Sequence, residues 1–247
     1  MLGVSLTGIM DNPLTNGKKN GLEKTLEALR EIAVETNKEW SAIFGIPQST
    51  AITCVKPSGT VSQLVDSSSG IHPRHSSYYI RTVRGDNKDP LTNFMVDSGI
   101  PSEADFMKPD TQTVFSFPMK SPKNSVMRND MTAIEQLEMW LVYQRHWCEH
   151  KPSITVTVRD DEWMEVGAFV FKHFDEMSGV SFLPHSDHTY QQAPYQECTE
   201  AVYNDFSSKF GHIDWNKFRD YEKVDTTSGS QTFACSGDSC EIVDIGA

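Results

Sequence analysis

Short β-branched or apolar runs alternate with amphipathic segments of helical period along most of this chain, and that alternation restricts it to an α/β architecture. GVSLTGIM opens as a short strand that runs into a turn at Asp11-Asn12-Pro13. From Gly21, Leu22, Leu26, Leu29, Ala33 and Trp40 share one helical face, and Gly45-Ile46-Pro47 stops the helix. AITCV (Ala51 to Val55) is a compact strand, followed by a tight turn at Ser58-Gly59-Thr60 and a helix start in VSQLV. Tyr78 to Val83 and Thr113 to Phe117 read as strands. MTAIEQLEMWLVYQRHWCEH is the clearest helix, with Ala133, Leu137, Trp140, Leu141, Gln144 and Cys148 on one face. Thr132 and Glu135 have the spacing of a capping box at its start. SITVTV is a strand by its β-branched content. Trp163, Val166, Val170 and Phe174 mark another helix, and GVSFL the strand after it.

After about Val224 the pattern stops. DTTSGSQTFACSGDSCEIVDIGA is rich in Ser, Thr, Gly and Asp, which predicts a folded body over 1–224 and a flexible tail over 225–247. The tail holds two of the five cysteines, Cys235 and Cys240, separated by Ser-Gly-Asp-Ser. So short a spacer lets two sulfurs meet as a disulfide and exchange electrons with other thiols. Zinc is the structural competitor, but it needs about four ligands and no second Cys or His pair stands nearby. The scatter of the other three, Cys54, Cys148 and Cys198, does not form a secreted disulfide framework.

Hydrophobic residues make up 38% of the 247, enough for a core. No apolar run reaches bilayer length, and the first residues lack a basic leader, so a soluble cytoplasmic protein is expected. The formal net charge of −12 argues against direct nucleic-acid binding. Lys56, Arg74, Arg81 and Arg84 are a local exception, with only Asp66 as a carboxylate between them.

Lys56-Pro57-Ser58-Gly59-Thr60-Val61-Ser62 falls at that exception. Helix-entry N–H groups lack intrahelical partners and face an incoming anion. Gly59 allows close approach, and Ser58, Thr60 and Ser62 add hydroxyls. The segment is not a P-loop. An anion cradle and an ordinary capped turn both fit it. His146, Cys148 and His150 do not converge, so no metal site is expected there. His72 and His75 are loop histidines within reach of an anion. His185, Asp187 and His188 fit a polar turn, and the tryptophans fit the core.

VKPSGTVSQL followed by SSGIHPRHSSYYIRTVR resembles the substrate-phosphate loop and following strand of the monomeric cobalamin-dependent ribonucleotide reductases. SITVTV, GVSFLPHSDHTYQQAPYQE and the terminal CSGDSC are similar to later segments of the same enzymes. The resemblance implies the C-terminal portion of a ten-stranded α/β barrel with a redox tail. It implies that Pro57, Ser58, Gly59, Thr60, Val61 and Ser62 hold the phosphates of a ribonucleotide, a triphosphate in the monomeric branch. Cys235 and Cys240 would reduce an active-site disulfide and be re-reduced by a thioredoxin-like partner. Adenosylcobalamin would generate the thiyl radical that starts reduction to the deoxyribonucleotide. The chain contains no Asn-Pro-Cys-Gly-Glu segment for that radical, so a partner polypeptide with the N-terminal part of the reductase is expected. The alternatives are part of an iron-dependent large subunit, a non-catalytic nucleotide-binding or regulatory module, and a free-standing dithiol carrier.

Overall fold

The computed structural model describes residues 3–185 and 191–222, together with the backbone of 231–236 and 239–244. Its elements run β1 (Val4–Ser5), α1 (Leu22–Phe44), β2 (Thr53–Cys54), α2 (Val61–Leu64), β3 (Tyr78–Asp86) and α3 (Pro90–Asp97). They continue with β4 (Ser102–Ala104), β5 (Gln112–Lys120), α4 (Ala133–His146), β6 (Ser153–Val158) and α5 (Trp163–Lys172). The last are β7 (Gly179–Pro184), β8 (Tyr195–Glu197), α6 (Glu200–Ser208), β9 (Gln231–Ser236) and β10 (Ser239–Asp244). The chain divides into two compact units, one of residues 1–77 and 121–187 and one of 78–120 and 188–247.

The first unit is parallel α/β. β1 pairs with β2 and β6 with β7, both parallel, and Ser153 N–H donates to Val55 O at 2.9 Å, tying the start of β6 to the end of β2. Helices connect these strands because a parallel partner requires a crossover. α4 fills the space behind them. Leu137, Trp140, Leu141 and Tyr143 are buried against Ile154, Val156 and Val158, and Trp140 Nε1 reaches Pro152 O at 3.1 Å, which satisfies the buried indole. The expected capping box is present: Glu135 N–H donates to Thr132 Oγ1 at 3.2 Å and Thr132 N–H to Glu135 Oε2 at 2.7 Å. α1 ends where Gly45 takes φ 64° and its N–H closes onto Ala42 and Ser41 carbonyls, a turn that glycine makes at little cost.

The second unit is antiparallel, with strand order β4-β5-β3-β8. Its core joins Phe94, Met95, Ile100 and Phe115, with Phe117, Phe210 and Phe218 packed on it. β9 and β10 form a hairpin in which Cys235 and Cys240 are directly opposed.

The α/β class holds, while no sheet among the described residues closes into a barrel. Three expectations need correction. Only Thr53–Cys54 of the AITCV run is paired as strand, because its two-residue neighbour β1 offers no longer ladder. α2 is one turn, ended where Asp66 enters the left-handed region at φ 46°. α4 stops at His146, so Cys148 lies beyond the helix and reaches the core from the following turn.

Candidate phosphate loop and tail dithiol

The loop after β2 is held from below by hydroxyls. Lys56 N–H donates to Ser5 Oγ at 3.0 Å, and Ser58 N–H to Ser69 Oγ at 3.2 Å. Ser58 Oγ accepts from Ser62 N–H at 3.1 Å and lies 3.2 Å from Thr7 Oγ1, which also meets Ser68 O and Gly70 N–H. Gly70 has φ 53°, and a Cβ there would meet Lys56 O at 3.0 Å. Glycine therefore lets the second loop cross close under the first. The outer side is different. Pro57, Gly59, Thr60 and Val61 are exposed, a Cβ on Gly59 would meet nothing within 4 Å, and neither the Thr60 nor the Val61 N–H has an acceptor among the described residues. The loop thus combines exposed backbone donors that lack acceptors with a braced base, an arrangement suited to an oxyanion. Ser62 does not share it: the residue is fully buried and its hydroxyl donates to Ser58 O. Braced in this way, Ser62 shapes the loop from within.

The three arginines of the basic stretch read from the sequence each have partners within their own unit. Arg74 is only 3% exposed, and its guanidinium grips Asp11 through Nε (3.0 Å to Oδ1) and Nη2 (2.8 Å to Oδ2). It also reaches Asp66 O at 2.7 Å. Arg84 binds Asp105 at 2.7 Å, where burial of the carboxyl is outweighed by Arg84 and by the Lys108 and Met107 N–H groups, so its pKa is lowered. Arg81 stacks over Tyr195 at 5.7 Å. These cations answer nearby carboxylates and rings, leaving Lys56 as the cation on the loop itself.

Two residues have roles here that the sequence did not show, Asp11 having been read only as part of a turn and His72 only as a loop histidine near an anion. Asp11 also accepts from Ser68 N–H (2.7 Å) and Ser125 Oγ (2.9 Å), so one carboxylate ties the β1 turn to the segment after α2. Its partner Arg74 is 63 positions away, and nothing local in the sequence marks such a pair. His72 is a strut: Nδ1 meets Ser69 O at 2.9 Å, and Nε2 accepts from Thr155 N–H of β6 at 2.9 Å. Only the neutral imidazole can make both bonds, and burial lowers its pKa against the raising effect of Ser69. His75 is pushed down to about 4 by burial and by Arg128.

The remaining candidates separate. Cys54 and Cys148 are buried, and burial together with Cys54 pushes the Cys148 thiol up to about 12, which keeps it protonated and inert. No group of three or more His, Cys, Asp or Glu among the described residues is arranged to hold a metal. His185 lies at the end of the described first segment, while Asp187 and His188 lie outside the described residues. So do 223–230, 237–238 and 245–247 of the tail. No helix is long and apolar enough to cross a membrane.

No family model matches the chain. Curated proteins do. It is 29% identical over 248 residues to a probable adenosylcobalamin-dependent ribonucleoside-triphosphate reductase of Dictyostelium discoideum, covering 98% of this chain and 32% of that protein. The enzyme of the same description from Euglena gracilis is 27% identical (97% and 33% covered), and that of Lactobacillus delbrueckii subsp. bulgaricus 26% (98% and 36%). A crystal structure of a B12-dependent (class II) ribonucleotide reductase superposes with a TM-score of 0.75 over 91% of this chain and 35% of that one, at 24% identity. That likeness speaks to the fold. The resemblance read from the sequence is therefore to true relatives, and the chain spans about a third of their length.

Proposed function

We propose that this chain is the C-terminal portion of an adenosylcobalamin-dependent ribonucleoside-triphosphate reductase, supplying the substrate-phosphate loop and the shuttle dithiol. The observation that carries this reading is the exposed loop at 57–62, in which the Thr60 and Val61 N–H groups have no acceptor among the described residues and the space beside Gly59 is open. It lies within a chain that matches such reductases over nearly its whole length. In this reading Gly59, Thr60 and Val61 meet the phosphate oxygens through the backbone, Ser58 and Ser62 hold the loop's shape, and Pro57 sets its entry. Lys56 adds charge at the rim.

The parallel strands β1, β2, β6 and β7 form one part of a ten-stranded barrel whose other strands belong to the remaining two-thirds of the enzyme. That remainder carries the radical cysteine, since this sequence has no Asn-Pro-Cys-Gly-Glu. No segment of the sequence has a recognisable cobalamin motif, and no step is assigned to the cofactor here. The tail's part is electron delivery. The Cys235 and Cys240 thiols attack the active-site disulfide and become a disulfide themselves, passing on two electrons and two protons. A thioredoxin-like dithiol then reduces them by the same exchange. Their opposed positions in the β9–β10 register support this pairing.

Binding of a ribonucleoside triphosphate to the assembled enzyme tests the loop. Gly59→Val should weaken it about tenfold or more, since the new side chain fills the approach to the backbone donors. Unchanged affinity would remove the loop from the site.

A further inference from the structure

The β9–β10 register sorts the tail hairpin into two unlike faces. Ser236 pairs with Ser239, and only Gly237 and Asp238 stand between them in sequence. A two-residue connection makes the pair it joins a hydrogen-bonded one. Cys235 and Cys240 hold the next rung, which is then a non-hydrogen-bonded one, the kind whose facing side chains stand closest. Successive residues of a strand alternate between faces. The rung of Phe233 and Ile242 therefore shares a face with the two cysteines, about 7 Å along the strands. The opposite face takes Ser236 with Ser239, Ala234 with Glu241, and Thr232 with Val243. Phe233 is the one aromatic residue in 225–247, and it falls on the cysteine face.

Thiol–disulfide exchange gives that placement a consequence. A thiolate attacks a disulfide sulfur directly, so an incoming protein must bring its own sulfur against the face that carries Cys235 and Cys240. The surface around its reactive cysteine then comes to the rung of Phe233 and Ile242, which is apolar and uncharged, whereas Glu241 belongs to the other face. We propose that Phe233 and Ile242 are the recognition pair by which the tail disulfide selects its reductant, a protein dithiol set in apolar, uncharged surface. Their role rests on the reading of Cys235 and Cys240 as shuttle thiols. In the exchange, the partner's first thiolate bonds to one tail sulfur, and the other tail sulfur leaves as a thiolate and takes up a proton. The partner's second thiol then displaces the tail from that mixed disulfide. The tail ends as two thiols and the partner as a disulfide, with two electrons and two protons transferred. A small dithiol needs only the sulfurs and gains nothing from the flanking rung.

Reduction of the oxidised full chain by thioredoxin and, separately, by dithiothreitol tests this, with the tail thiols followed by alkylation and peptide mass. Phe233→Ser with Ile242→Ser should lower the second-order rate constant for thioredoxin roughly tenfold and leave that for dithiothreitol within about twofold of wild type. Thr232→Ser with Val243→Ser, the neighbouring rung of the other face, should change neither rate. An unchanged thioredoxin rate in the first variant would overturn the inference. So would an equal loss in the second, or a matching fall in the dithiothreitol rate. Failure of thioredoxin to reduce even the wild-type tail, with dithiothreitol effective, would remove the shuttle reading together with the recognition pair.

Discussion

Arg74 and Asp11 show what a buried ion pair does in this molecule. Each oxygen of Asp11 accepts one arm of the guanidinium and one further donor, so neither charge is left unanswered. Removing one partner strands the other in the core. Arg74→Ala should lower the unfolding free energy by about 3–5 kcal/mol, read by urea denaturation, and Arg74→Lys should recover only part of it because an ammonium cannot reproduce the fork. A cost below about 1 kcal/mol would mean that solvent answers the charges instead. The two histidines set a pH dependence. His72 and His75 both have lowered pKa values, the second about 4, so the unfolded chain binds more protons between pH 4 and its ordinary histidine value near 6.5. Stability contributed by the neutral rings is present above that value and is lost as pH falls toward 4. Urea midpoints should fall steadily from pH 7 to pH 4.5, and His72→Gln should flatten part of that slope. A flat wild-type profile would contradict the strut. None of these roles was legible in the sequence, because each depends on partners brought from far along the chain.

At the scale of elements, legibility tracked periodicity. α1, α4 and α5 repeat apolar residues at helical spacing over several turns and each was found, though α4 was read past its true end at His146. β3 and β5 were found but short, since their ladder runs through Arg84, Gly85 and Lys120, which carry no apolar signal. α3 and α6 were passed over although both have a readable start: Asp89 caps Leu91 N–H ahead of Pro90, and Thr199 caps Val202 N–H. The 57–62 loop was legible as a turn between β2 and α2, while the burial of Ser62 and the diversion of Arg74 were not. Gly59 offers a clean experiment because its φ lies outside the left-handed region and its surroundings are open. Gly59→Val should leave the melting temperature within about 2 °C of wild type, a change below roughly 0.5 kcal/mol, while nucleotide binding falls. A loss of stability equal to the loss of binding would mean the loop is structural only. For the tail, replacing Cys235 and Cys240 with Ser should allow one turnover and block the next when reductant is thioredoxin-like. Sustained turnover would show that electrons arrive by another path.

The molecule as a whole is two units whose combined length is about a third of its relatives. Exposed apolar side chains fit a body that another polypeptide covers: Met164 and Phe171 on α5 are 88% and 87% exposed, and Trp40, Ile43 and Phe44 stand out on α1. The lack of an Asn-Pro-Cys-Gly-Glu segment was legible in the sequence, whereas the antiparallel second unit was not, because strand polarity leaves no mark in short apolar runs. The central claim is that this chain works only as part of a cobalamin-dependent reductase. Its most direct test is to purify the chain from its own cells with whatever polypeptide accompanies it. The complex and the isolated chain are then assayed for deoxyribonucleotide formation with adenosylcobalamin, a ribonucleoside triphosphate and reduced thioredoxin. The account predicts cobalamin-dependent turnover by the complex and none by the chain alone. Turnover by the isolated chain, or by the complex without cobalamin, would contradict it.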